Sequence, residues 1–138
     1  MDELLLVLFR MTRRRFQAIA ERNLLTFPQL IALRHLRQAG PVPMSDLTAR
    51  LGTTPGALTG LVDRLQEAGF VARHPSQHDR RVIHLDLTPR AHEILTTIHS
   101  DWSHEVSQWL ARLDPVEQLS LSKGLNALID AEIPLGTQ

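Results

Sequence analysis

The sequence predicts a mainly α-helical fold with one small β-hairpin, an α+β arrangement. Three observations predict it. Apolar residues recur at helical spacing through most of the 138 residues. Only residues 71–87 change to a period of two. Capping residues, Pro starts and Gly stops fall between the apolar stripes, where helix ends need them.

Residues 2–22 form the first predicted helix, with Leu5, Leu8, Phe9, Phe16 and Ile19 along an interrupted apolar face. Thr26 stands three before Gln29, a capping-box spacing, and Pro28 sits in the first turn. The second helix carries Leu30, Ile31, Leu33 and Leu36 and stops at Gly40-Pro41. Pro41–Met44 reads as a short extended link. A short helix over roughly Ser45–Leu51 ends at Gly52. Thr53 and Thr54 are candidate N-caps, and Pro55 suits the first helical position. The next helix, about Thr54 to Ala68, places Leu58, Leu61, Val62, Leu65 and Ala68 on one face, and Gly69 stops it.

Val71–His74 and Val82–Leu87 are two short runs joined by Pro75–Arg81. In the second run Ile83, Leu85 and Leu87 alternate with His84 and Asp86, the pattern of a half-buried strand. Thr88-Pro89 opens the longest helix, expected to reach about Leu113 and so to span roughly 37 Å. Its stripe is Ile94, Leu95, Ile98, Trp102, Val106, Trp109, Leu110 and Leu113. A stripe that long needs a partner over its whole length. Asp114-Pro115, with Glu117 at a capping-box position, starts a last helix carrying Leu119, Leu125, Leu128 and Ile129 and ending near Pro134.

The length fits one domain, 1–138, with no repeat or linker. There is no cysteine, which removes disulfides, thiolate metal sites and thiol redox sensing. The longest apolar run, Leu4–Phe9, is too short to span a bilayer and follows two acids rather than a basic segment. The expectation is a cytoplasmic protein with no membrane partner.

The net charge is zero, but it is segregated. Residues 1–49 hold seven Arg and four acids, and residues 50–90 hold six Arg and four acids. Residues 91–138 hold two basic residues against seven acids. The positive side is made of arginine, which suits bidentate phosphate and guanine contacts. Arg-favouring codon usage explains the residue type but not the segregation.

Helix, short helix, tight turn, amphipathic helix and hairpin, in that order, make a winged helix-turn-helix. A major groove accepts one α-helix, whose N-terminal residues reach base edges. The outer face of the helix after Gly52 offers Thr54, Gly56, Thr59, Gly60, Asp63 and Arg64. Small residues allow close approach, hydroxyls bond phosphate or bases, and free N–H groups of the first turn suit a phosphate. Arg80 and Arg81 in the hairpin loop are positioned to reach an adjacent minor groove.

At these residues the chain resembles the MarR family of bacterial transcription regulators. Leu25-Thr26-Phe27-Pro28-Gln29-Leu30 is similar to the start of that family's second helix. Asp46-Leu47 with Ala49-Arg50-Leu51-Gly52 resembles its third. Ala57 to Leu65, then Gly69-Phe70-Val71 and Arg73, resembles the recognition helix and the entry to the wing. Asp79-Arg80-Arg81 followed by Leu85-Asp86-Leu87-Thr88 resembles the wing signature. The match covers nearly the whole chain in order.

The resemblance implies a winged helix-turn-helix at 25–90 and a helical dimerisation region from the N- and C-terminal helices, 1–24 and 91–138. It implies a homodimer on double-stranded DNA, with Leu5, Leu8, Trp102, Trp109, Leu125 and Leu128 in dimerisation. It implies DNA contacts from Thr53, Thr54, Pro55, Gly56, Thr59, Gly60, Arg64, Arg73, Arg80 and Arg81. Arg81 would enter the minor groove, with Asp79 orienting it. A small phenolic or anionic effector would act between the dimerisation helices and the winged domain, making a ligand-responsive repressor of a pseudo-palindromic operator. The chain departs from the pattern at Gly60, where some members use an Arg on DNA, and at Ala91, where many have Gly.

Several residues keep two readings. Asp63 and Arg64 face DNA or make structural salt bridges. Thr53 and Thr54 cap the helix or read bases. Arg13, Arg14 and Arg15 are a solvated face or a positive wall that attracts an anionic effector. Trp102 and Trp109 pack in the core or dimer, or line a ligand pocket. His92, His99 and His104 share a helix, but their spacing does not close a metal site, and no metal or cofactor is expected. His74 and His78, on the wing, face solvent or phosphate. A metal-responsive regulator and a winged helix used for protein–protein contact are the alternatives. No nucleophile elbow, P-loop, dinucleotide turn or zinc-protease motif is present, so no catalytic residue is expected.

Overall fold

The computed structural model describes residues 1–131. It has six helices and three strands: α1 (Asp2–Arg22), α2 (Phe27–Ala39), β1 (Val42–Pro43), α3 (Met44–Leu51), α4 (Pro55–Glu67), β2 (Val71–Pro75), β3 (Ile83–Leu87), α5 (Pro89–Leu110) and α6 (Pro115–Asp130). The expected helical fold with a small β-sheet is the one observed. The chain gathers into two units, Met1–Trp102 and Ser103–Gln138, and α5 runs from one into the other.

Unit one holds the core. Ile19 and Ala20 of α1, Leu30, Leu33 and Leu36 of α2, Leu47 of α3, Leu58, Val62 and Leu65 of α4, Leu85 of β3, and Leu95 and Ile98 of α5 belong to one buried cluster. The sequence stripes therefore converge on a single interior. The capping box before α2 is complete: the Gln29 N–H donates to Thr26 Oγ1 and the Thr26 N–H to Gln29 Oε1.

The sheet has three strands rather than two, in the order β1-β3-β2, all antiparallel. Val42 pairs with Leu85 and Pro43 with His84, so the link expected at Pro41–Met44 contains a short strand. Two residues are too few to display an alternation, which is why the sequence shows only a link.

The α1–α2 junction carries the one non-glycine residue with positive φ among the described residues. The Leu25 N–H donates to the Ala20 carbonyl and the Leu24 N–H to the Glu21 carbonyl, each at 3.0 Å. This is a Schellman closure, which places Leu24 in the left-handed region at φ 59°. Its side chain is 93% exposed, so no burial compensates the backbone cost. Leu24→Gly is expected to raise stability by about 0.5–1 kcal/mol, the left-handed penalty less the extra chain entropy of glycine. Urea unfolding followed by circular dichroism checks this.

In unit two, α5 stops at Leu110 rather than Leu113, which shortens the helix to 22 residues, about 33 Å. Arg112 and Leu113 donate to the carbonyls of Trp109 and Leu110 in a tight turn. Gln118 Nε2 then closes the Leu110 and Leu113 carbonyls at 3.0 and 3.1 Å. Asp114 and Glu117 form the capping box of α6. This helix ends at Asp130; Pro134, its expected end, lies outside the described residues. It buries no residue, and Val116, Leu119, Leu121, Leu125, Leu128 and Ile129 are exposed.

Candidate nucleic-acid interface

Two structures meet at this surface: the N-terminal half of α4, and the loop between β2 and β3. The turn into α4 begins at Gly52, whose φ of 58° lets the chain reverse after α3. Thr54 is the N-cap, its Oγ1 accepting the Ala57 N–H at 3.3 Å, and Pro55 opens the helix. Thr53 is half-buried beside it and makes no cap.

Leu58 is almost completely buried and Val62 and Leu65 wholly so, which holds α4 down by one face. Thr54, Pro55, Gly56, Thr59, Asp63 and Arg64 are exposed, and Gly60 is half-buried. The Thr59 hydroxyl donates to the Pro55 carbonyl at 2.9 Å, so its proton is used within the helix while its oxygen can still accept a hydrogen bond. A Cβ added at Gly60 would meet nothing within 4 Å. Gly60→Ala is therefore expected to stabilise the fold by about 1 kcal/mol through helix propensity alone. Thermal and urea unfolding of the variant would show the gain, and a loss would mean that the position is more crowded than it looks.

Asp63 has a protein partner. The Arg73 guanidinium donates to Asp63 Oδ1 and to Gln66 Oε1, each at 2.6 Å. This strut ties β2 to α4, setting the wing against the recognition helix. Its energy is small, because Asp63 is half-exposed. Arg73, expected on DNA, thus has a structural duty in this conformation. Arg64 makes no ion pair among the described residues.

The wing loop is shaped by two side chains. The Ser76 N–H donates to the Val82 carbonyl at 2.8 Å and the Val82 N–H to the Asp79 carbonyl at 3.0 Å. Ser76 Oγ accepts the His78 N–H, and Asp79 Oδ1 accepts the backbone N–H of Arg81 at 2.9 Å. Asp79 therefore holds Arg81 by its backbone. Arg80 and Arg81 are exposed and have no ion pair among the described residues. Ser76 went unnoticed in the sequence because one serine in a polar loop carries no signal, yet it is the one buried polar residue among those described. Thr88 anchors the wing's base, its hydroxyl donating to the Gly69 carbonyl at 2.6 Å.

A second feature of unit one is a groove of about 530 Å³ lined by Phe9, Thr12, Arg13, Phe16, Phe27, Ile31, Arg34 and Trp102. Phe16 stands edge-on to Phe27, with centroids 6.3 Å apart, and to Trp102 at 5.1 Å. Arg13 lies 5.8 Å over the Phe27 ring and Arg34 5.0 Å over Phe16. Two cations and four aromatic rings thus share one cleft. Arg14 and Arg15 are exposed on α1. Of the residues expected in dimerisation, Leu5, Leu8, Leu125 and Leu128 are exposed, while Trp102 and Trp109 are half-buried. Trp102 already packs within its own chain, on Phe16.

A helix seated by one face, offering its N-terminal half to solvent beside an arginine-tipped hairpin, defines a winged helix-turn-helix. Residues 25–82 match the MarR family. The chain is similar to the uncharacterised HTH-type transcriptional regulator YfiV of Bacillus subtilis, at 32% identity over 75% of this chain and 65% of that one. It is also similar to the transcriptional repressor MdtR of Bacillus subtilis, at 37% identity over 49% of this chain and 44% of that one. These matches span less than two thirds of either relative's length. Among solved structures, a mutant MarR from Escherichia coli complexed with operator DNA superposes with a TM-score of 0.70 at 25% identity, covering 92% of this chain and 91% of that one. The chain is thus similar to MarR-family proteins through its winged part, and the relatives that match it are transcriptional regulators. No described helix is long and apolar enough to cross a membrane.

Proposed function

We propose that this protein is a sequence-specific DNA-binding transcription regulator of the cytoplasm, acting as a homodimeric, ligand-responsive repressor on a pseudo-palindromic operator. The observation that carries this reading is the pairing of an exposed α4 N-terminal half with an arginine-tipped, hydrogen-bonded wing. The solved complex of a similar MarR with operator DNA supports it. In this reading residues 25–90 form the DNA-binding part, and 1–24 with 91–138 form the dimerisation part of one functional domain. Thr54, Pro55, Gly56, Thr59, Gly60 and Arg64 meet the major groove, with Thr53 behind them. Arg80 and Arg81 meet the adjacent minor groove, and Arg73 supports α4 and reaches phosphate.

Dimerisation gives the exposed apolar residues of α1 and α6 a reason to exist. Leu4 to Phe9 are all exposed on α1, and an unpartnered stripe of that size is a liability in water. Two copies would place their winged parts about one helical turn, roughly 10 bp, apart. The cleft formed by Arg13, Phe16, Phe27, Arg34 and Trp102 suits an anionic aromatic effector. Such a ligand releases DNA if it favours a spacing that the grooves do not match.

Titration of duplex DNA at two salt concentrations tests the reading. Phosphate contacts release counterions, so affinity should fall steeply with salt. A dimer by sedimentation that shows no salt-dependent DNA binding would instead favour a winged helix used for protein contact.

A further inference from the structure

We propose that the wing carries a chelating site for a borderline divalent transition ion such as Zn2+, formed by His74 and His84. The register sets His74 of β2 directly opposite His84 of β3. Leu85 and Leu87 of β3 are buried against the core, so His84 and Asp86 share the other face of the sheet. Ala72 and His74 stand across from them on that face. Side chains directly opposite in an antiparallel pair have Cβ atoms about 4.5–5.5 Å apart, a span two imidazoles can close on one ion.

Neither ring makes a hydrogen bond or ion pair among the described residues. That is notable for His84, which is half-buried, and whose neighbour across β1 is Pro43, a residue with no N–H. Asp86, two residues along the same face, uses Oδ1 to accept the Leu87 N–H at 2.8 Å. Its second oxygen is available to orient an imidazole or to accept from a metal-bound water. The small side chain of Ala72 opposite leaves room there. No three metal-ligating side chains are gathered among the described residues, so water completes the coordination. Imidazole ligands select Zn, Cu or Ni over Mg or Ca. A bound ion would tie β2 to β3 at the base of the loop that presents Arg80 and Arg81. The site stands independently of the DNA-binding reading.

Calorimetric titration of the full chain with zinc chloride, with NMR of the imidazole rings, tests this. Saturable binding of one ion per chain is expected, with shifts confined to His74 and His84. His74→Gln and His84→Gln should each weaken binding at least tenfold, while His92→Gln, His99→Gln and His104→Gln leave it unchanged. His74 is exposed, so its variant is informative even if His84→Gln misfolds. Absence of saturable binding, undiminished binding in His74→Gln, or ring shifts at other histidines would overturn the proposal.

Discussion

Leu65→Ala is expected to destabilise the protein by about 2–5 kcal/mol, the cost of truncating a fully buried leucine whose cavity cannot collapse. Leu65 is completely buried on α4, on the same stripe as Leu58 and Val62. Total stabilities of such domains run to about 5–15 kcal/mol, so this one change should move the urea midpoint markedly. Thr59→Ala, on the exposed face of the same helix, should stay within about 0.5 kcal/mol. The contrast tests how α4 is seated. A loss below about 1 kcal/mol for Leu65→Ala would mean that another face holds the helix, and the surface assigned to DNA would then be wrong.

Arg81→Ala should weaken operator binding by about 1–3 kcal/mol, roughly 5- to 150-fold, with little change in stability. The residue is exposed, has no ion pair among those described, and is held at its backbone by Asp79. Removing its side chain therefore breaks no side-chain hydrogen bond or ion pair among the described residues. Fluorescence anisotropy with a labelled duplex at fixed salt measures the effect. Arg112→Ala, in the turn after α5, serves as a control of equal charge change and should bind as the parent does. Equal affinity of Arg81→Ala and parent would remove Arg81 from the interface.

Much of this was legible along the chain because the signals are local. Thr54-Pro55 announces the start of α4, and Leu58, Val62 and Leu65 announce its buried face; the structure has both. The capping boxes at Thr26 and Asp114 are equally local. What was not legible depends on residues distant in sequence. β1 exists only because Val42 finds Leu85. The Arg73–Asp63 strut joins two elements whose relative placement no spacing reveals. The facing of His74 and His84 is a matter of register, ten residues apart across a loop. The end of α5 escaped for a different reason: Leu113 continues the apolar stripe, but Gln118 and the Asp114 cap favour an earlier stop.

Selection of binding sites from random duplex DNA tests the central claim most directly. The account predicts a two-fold symmetric motif with half-sites roughly 10 bp apart, and a selected site whose affinity falls steeply between two salt concentrations. Recovery of no enriched sequence from a correctly folded dimer would contradict it.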